Sequence, residues 1–490
     1  MSGIIKGNIL KVSNPVTNKE IASYAISSKK DIENVISNAK HDSLWRNLSL
    51  SKRCRVINQL RKSIVKNKDE VHSTLKNETG KSDFDIVIEI FTTLEHLKEI
   101  SKIAKKVLKN SHRGSGLMKT KKAYVSFEPL GVAGVIAPWN YPLATPITSA
   151  VEALLAGNSV ILKPSEHTPM TSILIKKIWD DNIAYQNSFQ ILTGDGKVGQ
   201  AIIESSDIDI VCFTGSTVIG KKIALECSKT LKPHILELGG KDPMIILNDA
   251  NINRSVESAL FGGLSNAGQT CISTEEVFIE EGIYDIFSSK ITERIKNIKS
   301  GVSIDSDLGS MIMPQNTEKV NKHISEASKT CRVVQGSNDS GEMFIPPTIV
   351  IEPGNELSIV NEETFGPVLS LRKFSNDSDL FMKIHKTGYG LSASIFGKNN
   401  KRMQSIVKNL KTGNVSINDV LTHYGIASLP FGGEGYSGVG RMHGEEGLKA
   451  LCRIKSIVVN RFNFIEELWW FGKSKKIVGF INNAMKLLYR

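Results

Sequence analysis

The chain has 490 residues, too many for one simple core, and at roughly 150 residues per unit it should hold about three domain-sized pieces. With 40% hydrophobic and 23% charged residues it has an ordinary globular balance, and its six scattered cysteines, none at C-x-x-C spacing, argue against a disulfide framework or a structural zinc site and fit a reducing compartment. The net charge of +12 raises a nucleic-acid reading, but its densest run (Lys98, Lys102, Lys105, Lys106, Lys109, Arg113, Lys119, Lys121 and Lys122) lacks interleaved aromatics for base stacking, so a solvated face is expected and no nucleic-acid partner.

The opening MSGIIKGNIL has no apolar stretch long enough for a secretion signal, and nowhere do about 18 apolar residues run together, so a cytoplasmic chain without a spanning helix is expected. Residues 1–110 begin with a turn at Asn14-Pro15 and continue in Lys-rich helical patterns; residues 54–65 space their apolar side chains three and four apart. A Gly/Ser turn and an alternating strand follow in residues 111–128. From Val132 short apolar runs (VAGVIA, SVIL, FQIL, IVCF) alternate with helix-length segments, the mark of βαβ units around a parallel sheet covered on both faces. A second series, from Gly239 to Gly438, has strand candidates at MIIL, EVFI, TIVI, VLSL and VSIN. The expected fold class is therefore α/β, with two tandem parallel-sheet domains, Rossmann-like and catalytic, and a cleft between them where ligands preferentially bind.

Several blocks carry candidate chemistry. In APWNYP, ending a strand, two prolines stiffen a turn that can aim the Asn140 amide at a developing oxyanion; a surface asparagine on a stiff turn fits the pattern as well. SVILKPSE puts Lys163 and Glu166 just past a strand, at the ligand edge of an open sheet, either to bind ribose hydroxyls or as an exposed ion pair. IVCFTGSTVIG is a strand, a Gly turn and a helix start whose amides and Ser216 hydroxyl suit a phosphate, though a plain strand-to-helix turn fits equally. Glu237 lies between leucines in HILELGGKDP, where an unpaired carboxyl is driven toward the pKa of a general base. In FGGLSNAGQTC small residues crowd up to Cys271, leaving space beside a candidate nucleophile; an ordinary buried thiol is the alternative. EETFGPV holds a carboxylate and an aromatic at a Gly-Pro turn, and PFGGEGYSGVGR is a glycine-dense loop suited to a substrate mouth. His234, His423 and His443 lack metal-ligand spacing, so they are expected to be packing or surface residues and no metal is expected.

Taken in order, PWNYP, LKPSE, FTGS, LELGGK, GQTC, EETFGPV and PFGG…SGxGR resemble the NAD(P)-dependent aldehyde dehydrogenase superfamily over nearly the whole chain. The resemblance implies oxidation of an aldehyde to a carboxylic acid, with NAD as cofactor and NADP as the alternative. Cys271 would form the thiohemiacetal and thioester, Asn140 and the Cys271 N–H would hold the oxyanion, and Glu237 would activate water. For the cofactor it implies Lys163 and Glu166 at the adenosine ribose, Gly215 and Ser216 at the pyrophosphate, Trp139, Leu238 and Gly239 along the cleft, and Glu363 with Phe365 at the nicotinamide ribose. It also implies a cofactor-binding domain (1–110 and 130–238), a catalytic domain (239–438) and an oligomerisation arm (111–129 and 450–461) serving a homodimer or homotetramer.

Two features depart from the resemblance. Glu276 stands where many relatives have an arginine, which puts a local ion pair in doubt. Residues 462–490 add a basic amphipathic tail with Trp469, Trp470 and Phe471, which either docks on protein or makes peripheral contact with a membrane. Against the rivals, Glu237 argues against a CoA-acylating enzyme, and the intact cysteine, base and amide argue against a non-enzymatic basic scaffold. The substrate pocket is expected around Tyr141, Phe261 and residues 422–428, where no arginine demands a carboxylated substrate.

Overall fold

The computed structural model describes residues 3–489 apart from 304, 339, 340, 463, 465, 468 and 473. Met1–Leu108 and Pro129–Arg453 form one unit built on two mostly parallel sheets. In the first sheet β1 (Val132–Ile136), β2 (Ser159–Lys163), β3 (Phe189–Ile191), β4 (Ile210–Thr214) and β5 (His234–Glu237) are parallel, in the spatial order β5-β4-β1-β2-β3. Every residue of β1 and β2 is buried, as the unbroken apolar runs demand of a sheet covered on both faces.

The second sheet contains β6 (Asp242–Ile246), β7 (Thr274–Glu280), β8 (Arg332–Gln335), β9 (Thr348–Ile351), β10 (Val368–Phe374), β11 (Ser392–Phe396) and β12 (Asn414–Ile417). Their order is β8-β9-β10-β7-β6-β11-β12, parallel except where β8 meets β9. A short β13 (Gly438–Val439) returns to pair antiparallel with β5, so the first sheet takes its last strand from chain beyond the second. The tandem α/β fold expected from the sequence is the fold observed. Three pieces were not foreseen. They are β8, the interior strand β11, and an N-terminal three-stranded sheet (Ile4–Lys6, Ile9–Ser13, Glu20–Ala25).

This topology places the site. The strand order of the first sheet reverses between β1 and β4, so the connections leaving their carboxyl ends run in opposite directions and open a crevice. From β5 the chain passes through Leu238, Gly239 and Gly240 directly into β6, linking the carboxyl edge of one sheet to the amino edge of the other. Cys271 lies on that same amino edge, just before β7.

Buried ionic pairs fix the loops around the crevice. Glu89, on α1 (Asp83–Val107), is 1% exposed and accepts the Leu143 and Ala144 amides at 2.9 and 3.1 Å. Those are the first N–H groups of α2 (Ala144–Ala156), which has no side-chain cap of its own, so Glu89 supplies one from another helix. Its second oxygen binds the buried Lys81 Nζ at 2.6 Å. Replacing Glu89 by alanine strands a buried cation and two amides at once; a loss of about 3–5 kcal/mol in urea denaturation is expected, with a smaller loss for Glu89→Gln.

Lys109–Glu128 and Ile454–Arg490 form a second unit. In its sheet Ser111–Arg113 pairs antiparallel with Lys121–Pro129, and Cys452–Asn460 is the third strand. The tail contains a helix, Ser474–Leu488, along which Phe480, Leu487 and Leu488 are exposed. Lys121 pairs with Glu467 and lies 5.8 Å from the Trp469 ring centroid. Lys473 and Arg490, which add to the positive charge of the tail, fall outside the described residues. No described helix is long and apolar enough to cross a membrane. In the basic run of the first unit, Lys98 and Lys102 are paired with Glu95 and Glu99 along α1.

Candidate active site

The segment before Cys271 is wound tightly. After α4 (Ile252–Leu264; α3 is Thr217–Ser228), Asn266, Ala267 and Gly268 take φ values of 55°, 53° and 69°. Left-handed backbone at non-glycine residues is unfavourable by about 1–3 kcal/mol each, so the surroundings must impose it. Asp85 accepts the Asn266 N–H at 3.1 Å, and Gln269 Nε2 donates to Asn266 O and Ser310 O while its Oε1 accepts from Ile312 N.

The glycines of this stretch serve packing, which corrects the expectation that they leave space for ligand. A Cβ on Gly262 would meet Thr274 Oγ1 at 2.8 Å, one on Gly263 would meet Leu369 at 2.4 Å, and one on Gly268 would meet Gly366 O at 2.1 Å. They let α4 and its turn lie directly on β7, β10 and the loop before β10.

Asn140 is 5% exposed, so it is not a surface asparagine. Its Nδ2 donates to Gln269 O at 2.9 Å, and its own carbonyl accepts from Asn266 Nδ2 at 3.1 Å. One amide hydrogen is thus committed to orienting the group, and a primary amide has a second. The turn after β1 and the turn before β7 are tied together through these bonds.

A cavity of about 650 Å³ opens here. Among its lining residues are Trp139, Asn140, Gly215, Ser216, Glu237, Leu238, Gly239, Cys271, Glu363 and Phe365. Two expected cofactor residues do not line it. Lys163 is 3% exposed at the end of β2, bonded to Glu166 at 3.1 Å and to Pro164 O at 3.0 Å, so an exposed surface pair does not describe the lysine. Burial works against the Glu166 charge, but Lys163 outweighs it and holds the carboxyl below its usual range.

Glu237 ends β5 at 5% exposure, and neither carboxylate oxygen has a hydrogen-bond partner among the described residues. Burial pushes its carboxyl well above the usual range; the Arg441 guanidinium and the Met442 amide, the latter committed to Phe431 O, only partly oppose this. From the glycine-dense loop, Gly432 sits where a Cβ would lie 2.8 Å from Glu237 Oε1, so that loop closes on the carboxyl.

Burial, reinforced by Asp242, Glu237 and Glu363, pushes the Cys271 thiol far up. The half-buried sulfur therefore rests as a thiol at neutral pH and must lose its proton to act as a nucleophile. Iodoacetamide alkylation of Cys271 in the ligand-free protein should climb about tenfold per pH unit from pH 7 to pH 10; a plateau near pH 8 would contradict this.

Glu363 accepts the Gly240 N–H at 2.9 Å, and burial pushes its carboxyl up to about 7. Phe365, at φ 57°, packs edge-on against Trp139 with centroids 5.5 Å apart, so aromatics from the two sheets meet in the cavity. The Thr364 and Phe365 amides both donate to Glu275, which is also ion-paired with the buried Lys241. Sequence reasoning missed this pair; adjacent glutamates leading into the apolar run Val277-Phe278-Ile279 were the available signal. Glu276 is paired after all, at 2.8 Å to Arg372 from β10.

His443 is neither a surface residue nor simple packing. His443 Nδ1 and His96 Nε2 lie 2.6 and 2.8 Å from the same oxygen of the buried Glu152, and the His443 N–H reaches its other oxygen at 3.1 Å. Burial opposes the Glu152 charge, but His443 and His96 overcome it and hold the carboxyl down at about 2. His443 lines the cavity, and no local spacing joins the three residues in sequence.

These surroundings fit a dinucleotide. Gly215 and Ser216 face the cavity at the N-terminus of α3, where Ser216 caps the Ile219 N–H at 3.4 Å, and a helix N-terminus favours a phosphate.

Comparison with known proteins agrees with the fold and the cavity. The chain matches the Aldehyde dehydrogenase family profile over residues 5–457. It is 30% identical over 454 residues, 91% of this chain and 87% of the other, to a Mycolicibacterium smegmatis protein named provisionally as a succinate-semialdehyde dehydrogenase of the NADP(+) type. It is also 30% identical over 469 residues, 94% of this chain and 87% of the other, to a 4,4'-diapolycopene aldehyde oxidase of a Methylomonas species. Among solved structures, a Mycobacterium tuberculosis aldehyde dehydrogenase complexed with NAD+ superposes with a TM-score of 0.88 at 27% identity, covering 94% of this chain and 96% of that one. The chain belongs to the aldehyde dehydrogenase family and is an oxidoreductase that acts on an aldehyde with a nicotinamide cofactor.

Proposed function

We propose that this chain converts an aldehyde to the carboxylic acid by way of a thioester on Cys271. The observation that supports this most is a buried, unpartnered carboxyl, Glu237, lining the same cavity as a thiol and an oriented amide. Cys271 adds to the aldehyde carbon as its proton passes to solvent water, and the oxyanion formed is met by the second N–H of Asn140 and the Cys271 backbone amide. Bound NAD(P)+ supplies the acceptor for the hydride that leaves this carbon. Glu237 then draws a proton from water, which attacks the thioester, releases the acid and restores the thiol. Because the base acts as a carboxylate and its pKa is raised, hydrolysis strengthens as pH rises through that pKa.

In this reading Gly215 and Ser216 hold the pyrophosphate, Lys163 and Glu166 the adenosine ribose, Glu363 and Phe365 the nicotinamide ribose, and Trp139, Leu238 and Gly239 the cleft wall. Residues 1–110 and 130–238 form the cofactor domain and 239–438 the catalytic domain. A charged Glu166 disfavours a 2′-phosphate, so NAD is preferred, although the Mycolicibacterium relative is named for NADP(+). Residues 111–129 and 450–461 serve as the oligomerisation arm of a cytoplasmic homodimer or homotetramer. The exposed Trp469, Trp470 and Phe471 make the tail a peripheral membrane contact.

The test follows NADH and acid together. One carboxylate per NADH without added CoA is expected, and a strict need for CoA would overturn the hydrolytic step. For the tail, loss of membrane sedimentation on deleting residues 464–490 is expected; a full-length protein that never sediments with membranes would remove that role.

A further inference from the structure

Helix α1 carries two apolar stripes. Ile86, Ile90, Leu97 and Ile100 are buried in the core. Phe84, Ile88 and Phe91, spaced i, i+4 and i+7, line the cavity yet remain 59%, 41% and 63% exposed. Phe261 and Ile426 line it too, at 47% and 48% exposure. A cluster of large apolar side chains left in water around a cavity marks a surface that something apolar covers.

Charge around the cavity excludes one class of substrate. Its lining includes the carboxylates of Asp85, Glu89, Glu237 and Glu363, whereas Lys319 is the one lysine or arginine among the described lining residues. Lys319 Nζ is bonded to the Glu363 backbone carbonyl, on the cofactor side in the proposed reading. A substrate carboxylate would thus find no guanidinium fork to bind it, and no lysine on the substrate side of the described lining.

We infer that the aldehyde accepted by this chain is uncharged and apolar, with a tail that runs from Cys271 along the stripe of Phe84, Ile88 and Phe91. This rests on the proposed role of Cys271 and deepens it by naming the substrate class. Each methylene that moves from water onto such a wall favours binding by up to about fourfold. Selection then falls on chain length and neutrality, and a semialdehyde bearing an acid is a poor substrate.

The test uses the full-length protein with NAD+ and a series of straight-chain aldehydes from butanal to decanal, together with succinic semialdehyde. kcat/KM should rise roughly two- to fourfold per methylene, and succinic semialdehyde should fall ~10-fold or more below butanal. Phe91→Asp should raise KM for decanal ~10-fold while affecting butanal much less. A flat series, a preference for succinic semialdehyde over butanal, or equal losses on both aldehydes in Phe91→Asp would overturn the inference. Absence of cofactor reduction with every aldehyde would instead overturn the reading of Cys271 on which it rests, a result distinct from a flat series.

Discussion

Cys271→Ala is expected to abolish aldehyde-dependent NADH formation, a fall in kcat of at least about 10⁴-fold. The sulfur is the only group proposed to bond the substrate, and no neighbour can replace it. The other cysteines are no substitute, since Cys212, for example, is buried within β4 and its thiol is pushed up to about 12. Removing one sulfur leaves Gly215, Ser216, Trp139 and Phe365 in place, so calorimetric titration should give an NAD+ affinity within a few-fold of the parent. Residual turnover above that limit would place the bond to substrate elsewhere.

Glu237→Gln separates the two halves of the reaction. The amide keeps the shape of the carboxyl but takes up no proton, so the first turnover proceeds while hydrolysis stalls. A stopped-flow burst of NADH close to one per site is expected, followed by a steady state lowered ~10²–10⁴-fold. The parent enzyme's steady-state rate should rise with pH, because burial raises the Glu237 pKa and only the ionised form serves as base. In Glu237→Gln that rise should disappear. Loss of the burst itself would assign Glu237 to the earlier step.

The sequence announced strands whose buried run is largely apolar, because VAGVI and SVILK have no other stable environment. β11 escaped notice because SASIF alternates serine with apolar residues, although all five are buried. The edge strand β8 has exposed ends and little apolar content to betray it.

The candidate site was legible in the same uneven way. Asn140, Glu237 and Cys271 each stand in a local block whose turn chemistry shows, and all three line one cavity. What could not be read were partners supplied from far along the chain. Glu89 capping α2, Arg372 answering Glu276, and Glu152 between His96 and His443 depend on which elements lie side by side. The upward push on the Cys271 thiol is out of reach of the sequence for a related reason, since its burial and the nearness of Asp242 and Glu363 come only with the fold. The glycines before the cysteine look permissive in one dimension; in three they are obliged by Thr274, Leu369 and Gly366.

The most direct test of the covalent route is peptide mass spectrometry of Glu237→Gln, quenched in acid just after its burst with an aldehyde and NAD+. The peptide containing Cys271 should carry the mass of the acyl group in place of one hydrogen. A full burst with Cys271 unmodified, or with the acyl group on another side chain, would contradict the thioester.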